Sequence, residues 1–251
     1  MPEYDYLYLG DNARSPYGTR SFEVVYHYTR ECVRWLFDEG CDLVILACNT
    51  ASAKALRNIQ QNDLACYPGK RVLGVIRPTT EQIGRYTRNG HVGLMATQGT
   101  VQSNSYAIEI SKFFPDVTLT QQACPMLVPL IENGEGHGQG ADYFVRKYTD
   151  ELLRHDSGID TVILGCTHYP IMYDKIRSAL PPNISIVTQG ELVAESLRQY
   201  LLNHPEIENN IGHTGQCRYC TTEQSEKFGA TAAVFMNESI SAQHIDLQSH
   251  T

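Results

Sequence analysis

No apolar run in this 251-residue sequence is longer than one buried strand requires, far short of the roughly 20 residues of a membrane-spanning helix. There is a single Trp, no Lys/Arg block and no low-complexity linker. Basic residues are in the minority, 20 Lys and Arg against 28 Asp and Glu, for a formal charge of −8. That balance argues against nucleic acid and anionic membranes as partners. The opening MPEYDYLYLG carries neither a basic region nor an apolar stretch of the signal kind, so the cytoplasm is the expected compartment. Tyr is plentiful, with 15 copies, yet no basic–aromatic interleaving suggests base stacking. The remaining composition is that of a globular protein, 42% apolar and 19% charged. It suffices for one large or two small domains with a core that needs no staples. Eight cysteines make an even count. In a chain of this length without a signal peptide they read as reduced thiols, most of them inert packing.

Strand and helix patterns alternate throughout. Tyr4 to Leu9 reads as a strand, Asp11 to Gly18 as a polar loop, and Ser21 to Glu39 as an amphipathic helix ended by Gly40. Further strands are expected at 43–47, 71–76, 91–96, 117–122, 161–164, 184–187 and 215–221. Helices are expected at 51–61, 79–88, 100–114, 140–155, 170–180, 191–203 and 223–236, with a short one after Pro125 and a polar, fraying tail at the end. Short apolar strands separated by helices imply α/β architecture, with parallel sheets covered on both faces. If there are two domains, the chain crosses between them by short hinges, at Arg77-Pro78-Thr79 and near Gln189-Gly190.

Two stretches repeat one design. In LVILACNTA (43–51) and TVILGCTHY (161–169), an apolar strand stops on a cysteine and small hydrogen-bonding residues follow. Cys48 and Cys166 thereby fall at carboxyl strand ends, where ligands of open parallel sheets bind. Backbone N–H groups at a helix start favour a thiolate, and His168 adds a titratable group two residues from Cys166. One such cysteine alone would read as a small core residue. Two in matching contexts point to function: in facing lobes, the thiols flank one ligand from opposite sides. That arrangement suits racemisation, in which one thiolate removes an α-proton and the opposite thiol returns one to the other face.

The strings GDNARSPYG (10–18), ACNTA (47–51), PLIE (129–132) and GCTHYP (165–170), in this order, resemble glutamate racemase of the aspartate/glutamate racemase superfamily, over nearly the whole chain. The resemblance implies two pseudo-symmetric α/β lobes, each a mainly parallel sheet flanked by helices, with the active site in the cleft between them. The first lobe would take residues 1–77 and 191–251, the second 78–190. Cys48 and Cys166 would be the catalytic acid/bases, with Glu132 holding His168. Tyr17, Gly18, Asn49, Thr50, Thr167 and His168 would bind glutamate, with Thr97 or Thr100 lining the same cleft. It also implies cofactor-independent chemistry, a role in peptidoglycan biosynthesis and a homodimer of variable form. Outside Arg14, which lies between the matching ends of the first string, no arginine belongs to these motifs, so amides, hydroxyls and helix starts are expected to meet the substrate carboxylates.

Blander readings stand beside these: a hydrogen-bonded strand-end histidine for His168, turn chemistry for Tyr17 and Gly18, a solvated helix end for Glu132. Members of the resembled family begin with a strand ending in Asp-Ser-Gly. This sequence starts at Met1-Pro2-Glu3-Tyr4 without one, and an interior strand of the first lobe is expected to be missing. Asp156-Ser157-Gly158 reads only as a turn. Two further functions therefore stay open: a catalytically impaired ligand-binding relative, and a cysteine-nucleophile amidase or hydrolase built on Cys166 and His168. Cys217-x-x-Cys220 lies in a strand with no second metal-spaced pair, so no metal is expected. The glycine-rich 134–140 loop lacks the lysine of a phosphate cradle.

Overall fold

The computed structural model describes residues 1–236 and 239–247. Nine strands, β1 (Tyr6–Gly10), β2 (Leu43–Leu46), β3 (Arg71–Gly74), β4 (His91–Ala96), β5 (Thr118–Ala123), β6 (Thr161–Gly165), β7 (Ser185–Val187), β8 (Cys217–Thr221) and β9 (Gln243–His244), alternate with helices. The helices are α1 (Phe22–Asp38), α2 (Asn49–Lys54), α3 (Leu56–Asn58), α4 (Ile76–Thr80), α5 (Gln98–Ser103), α6 (Ser105–Phe113), α7 (Leu127–Glu132), α8 (Gln139–His155), α9 (Tyr173–Ala179), α10 (Gly190–Asn203), α11 (Pro205–Glu208) and α12 (Ser225–Met236).

Strands β4 to β7 form one sheet in the order β5-β4-β6-β7, and every strand pairing among the described residues is parallel. Strand β6 is buried at all five positions, because helices cover both its faces. Met95, Val162 and Leu164 pack against α7, α8 and α9 on one side. Leu94, Ile163 and Val92 pack against α6 on the other. The remaining strands fall into two hydrogen-bonded sets, β1-β8-β9 and β2-β3. Helix α1 spans both sets: Val33 and Phe37 meet Val44, Leu46 and Val72, while Trp35 meets Cys220 and Leu9. Ser21 caps this helix at the Val24 N–H. Gly40, at φ +94°, ends it, with N–H bonds from Gly40 to Phe37 and from Cys41 to Leu36, the paired closure that a left-handed residue permits.

Several expected helices are shorter or interrupted. The 51–61 helix starts earlier, at Asn49, and gives way after Lys54 to α3 and a wider turn at 59–63. The 100–114 helix breaks at Asn104, which adopts a left-handed conformation. The expected 79–88 helix becomes α4, which begins at Ile76, so Pro78 sits in a first turn where its missing N–H costs nothing. The fraying tail is a correction. Residues 243–244 pair with β8, and Ala242 and Ile245 are buried, because apolar residues recur within that polar stretch and bury a flank of the sheet. Residues 237–238 and 248–251 of that region lie outside the described residues.

Candidate active site

The four-stranded sheet starts at β4, adds β5 on one side and then β6 on the other. Its switch point therefore lies between the carboxyl ends of β4 and β6, where a crevice opens in such sheets. Ala96 pairs with Gly165, so the next residues, Thr97 and Cys166, sit side by side at that crevice. Cys48 follows β2 in the other lobe and caps α2, its sulfur 3.5 Å from the Ala51 nitrogen. The second cysteine unit differs from the first. Cys166 is followed by a turn and a tight single-turn helix at Tyr169–Met172. Tyr169 there is fully buried and donates to the Cys124 carbonyl at 3.2 Å, so burial of that ring holds the turn in place of a regular helix start.

Both thiols are pushed above the ordinary cysteine value by burial. The Cys48 shift is eased by the Ala51 and Thr50 N–H groups and the Thr50 hydroxyl. Cys166, 6% exposed, is pushed up to about 12 by burial; the His168 N–H opposes this, and repulsion from Cys48 and Glu132 adds to it. Charge on Cys48 thus disfavours ionising Cys166.

His168 links two of the expected groups. Its Nδ1 lies 3.8 Å from the Cys166 sulfur and its Nε2 2.5 Å from Glu132 Oε1. The hydrogen bond to His168 holds the Glu132 carboxyl below its ordinary value. A carboxylate at Nε2 fixes that nitrogen as the donor and leaves Nδ1 as acceptor toward the thiol.

A cluster of hydroxyls closes the other side. Thr50 Oγ1 lies 2.9 Å from Thr97 Oγ1 and 3.4 Å from Thr100 Oγ1, and Thr97 lies 3.1 Å from Thr100. All three are buried, so both threonines between which the sequence left a choice belong to one cluster. Gly18 touches it: a Cβ there would come within 2.9 Å of Thr97 Cβ, and its carbonyl accepts from the Gly99 N–H at 2.8 Å. Glycine is needed at 18 because the loop lies directly on α5.

The other expected binding residues are placed less simply. Tyr17 has its hydroxyl engaged by Asp11, which also accepts from Arg14 and, at 2.9 Å, from Thr222. Asn49 is buried, with its amide held at both ends: Nδ2 donates to Gln189 Oε1 at 2.5 Å, and Tyr106 donates to Oδ1 at 2.7 Å. Thr167 is exposed at the crevice mouth. Sequence reasoning missed Tyr106 as the residue that orients Asn49, since nothing in its neighbourhood marks it. Gln189, foreseen only as part of a hinge, donates to the Val75 carbonyl at 3.1 Å and Thr79 at 3.0 Å. It thereby ties both expected crossing points to Asn49. Cys217 is exposed and Cys220 buried, as an i, i+3 pair on a strand must be. Among the described residues no group of three or more His, Cys, Asp or Glu is placed to hold a metal.

The sequence model of the Asp/Glu/Hydantoin racemase family matches residues 1–197. The glutamate racemase of Ruegeria sp. (strain TM1040) is 40% identical over 250 residues, covering 96% of this chain and 90% of that protein. The glutamate racemase of Persephonella marina is 35% identical over 248 residues, covering 98% and 89%. Among solved structures, a glutamate racemase of Bacillus anthracis superposes with a TM-score of 0.88 at 30% identity, covering 98% of this chain and 90% of its own. That of Francisella tularensis, solved with D-glutamate, gives 0.86 at 27% identity, covering 99% and 90%. Two cysteines at carboxyl strand ends of facing α/β lobes thus sit within a fold and a sequence of one kind, and the chain belongs to the Asp/Glu/Hydantoin racemase family of isomerases.

Proposed function

We propose that this protein interconverts L- and D-glutamate without a cofactor, by two-base proton transfer between Cys48 and Cys166. The observation that carries this reading is the placement of the two thiols, each at the carboxyl end of a parallel strand of its own lobe. Repulsion from Cys48 disfavours ionising both thiols together, so when one thiol gives up its proton and acts as base the other stays protonated and can donate. In one direction the Cys48 thiolate takes the α-proton while the Cys166 S–H delivers one to the opposite face. In the other direction the roles reverse, and protons balance over each turnover. His168 accepts the Cys166 proton at Nδ1 when that thiol must become a base, and Glu132 stabilises the resulting imidazolium. Hydroxyls of Thr50, Thr97 and Thr100, with N–H groups at the start of α2, meet the charge that develops on the substrate carboxylate.

We assign Tyr17 to positioning the Gly18 loop, Thr167 to direct substrate contact at the mouth, and Asn49 to holding α2 in register. The lobes are proposed to divide at 1–77 with 191–251 and at 78–190, supported by the separate sheets. Supply of D-glutamate for peptidoglycan, in the cytoplasm, is the proposed role. The relatives' activity supports it, and among the described residues no helix is long and apolar enough to cross a membrane.

The test is incubation with L-glutamate in deuterated water, following optical rotation and deuterium at the α-carbon. Exchange that disappears in both Cys48→Ala and Cys166→Ala is expected. Full exchange in either variant refutes the two-thiol reading, and a folded protein without any exchange refutes racemisation.

A further inference from the structure

Lys54 is 5% exposed, and it is the one Lys, Arg, His, Asp or Glu among the described residues that is buried. Its ammonium donates to the Arg20 carbonyl at 2.5 Å and lies 5.0 Å from the centre of the Phe22 ring. Neither partner carries a negative charge. Burial alone pulls the ammonium below the ordinary lysine value, and no neighbouring anion acts to restore it. Holding an uncompensated ammonium away from water is costly.

Its position gives that cost a use. Thr50 and Lys54 stand four residues apart on α2 and so share one face. That face meets α5: Thr50 Oγ1 is 2.9 Å from Thr97 Oγ1. A Cβ added to Gly99 would lie 2.7 Å from Lys54 Nζ and 2.8 Å from the Gly18 oxygen. The ammonium therefore packs directly on Gly99, where the Gly18 loop, α2 and α5 converge. The protein is acidic overall, and the one arginine within its cleft motifs, Arg14, is paired with Asp11 and Glu31, so of these two cations Lys54 alone is left without an anion.

We propose that Lys54 is a substrate-positioning residue, its buried ammonium being the counter-charge for one carboxylate of a glutamate bound beside the Gly18 loop. The assignment rests on the reading of the cleft as a glutamate site. An ammonium left uncompensated in the empty cleft and balanced on binding makes the empty protein less stable and the occupied one tighter. A strut that merely ties α2 to the Arg20 backbone would act in the opposite sense on stability.

The experiment compares the full-length protein with Lys54→Met and Lys54→Gln. It reads urea unfolding without ligand, the thermal shift given by D-glutamate, and KM and kcat from α-deuterium exchange. The expected result is unchanged or increased stability of the empty variants, loss of most of the thermal shift, a KM raised about ten- to a hundredfold and kcat altered by less than about threefold. An unchanged KM overturns the proposal, as does failure of both variants to fold or a fall of stability in step with activity. Glutamate that protects the wild type but not Lys54→Met upholds the role of Lys54 even if no exchange occurs, and racemisation alone is then refuted. Exchange by the wild type with unaltered KM in the variants refutes Lys54 and leaves racemisation standing. Neither protection nor exchange in the wild type overturns both.

Discussion

Replacing Glu132 separates the charge of its carboxylate from its geometry. Its hydrogen bond to His168 is 2.5 Å long and charge-assisted, of a kind that contributes about 1.5–3 kcal/mol, against about 0.5–1.5 for a neutral bond. The two side chains are 27% and 36% exposed, so screening places the value at the low end. In Glu132→Gln the amide oxygen still accepts from Nε2 and keeps the tautomer, but an imidazolium loses its anion. The loss is about 1 kcal/mol, roughly fivefold in kcat. Glu132→Ala removes the acceptor as well, about 2 kcal/mol or roughly thirtyfold. The order wild type, Gln, Ala is expected in kcat from α-deuterium exchange, with KM nearly constant, since His168 acts on Cys166 more than on bound substrate. The Glu132 carboxyl is lowered in the folded state. Its support is therefore full above the ordinary glutamate value and is lost as the pH falls through the lowered one, so the ratio of wild-type to Gln activity should be flat across neutral pH. Equal kcat in all three proteins, or an alanine variant faster than the glutamine one, would refute the proton relay.

Other expectations concern the frame that holds the thiols. Because burial raises both Cys48 and Cys166, little thiolate forms near neutral pH. Iodoacetamide at pH 7.5, read by peptide mass spectrometry, should label exposed Cys66 and Cys217 well before Cys166, with Cys166 gaining on them as pH rises toward about 12. Tyr106→Phe leaves Asn49 Oδ1 short of its buried donor, while Gln189 keeps the Val75 carbonyl and the Thr79 hydroxyl as acceptors. It should cost about 1–3 kcal/mol in urea unfolding, and an unchanged midpoint would show that the network carries no load. Gly165→Ala would set a Cβ 2.6 Å from Leu94 Cδ1 in a strand buried throughout. Overpacking of about 1–3 kcal/mol is expected, together with slower exchange, because Cys166 is the next residue; wild-type stability would refute the tight packing.

Some of this protein is local, and the sequence determined it by itself. Apolar runs broken by helical periodicity produce parallel strands under helices, since no other arrangement buries strands such as 161–165 on both faces. A cysteine that ends such a run lands at a carboxyl strand end whatever the rest does, so Cys48 and Cys166 were legible, as was His168 two residues on. The capping of α1 by Ser21 and its closure at Gly40 are equally local. What only the tertiary structure decided are relations between distant segments. That Thr50 meets both Thr97 and Thr100 depends on how α2 docks on α5, and neither helix records that angle. Asn49 turns its amide to Tyr106 and Gln189 because packing brings residues from three separate segments to one buried point. The strand at 243–244 forms because β8 offers an unpaired edge beside it. Lys54 looks like any helix-surface lysine in sequence, and only the meeting of the Gly18 loop with Gly99 buries it without a counter-charge.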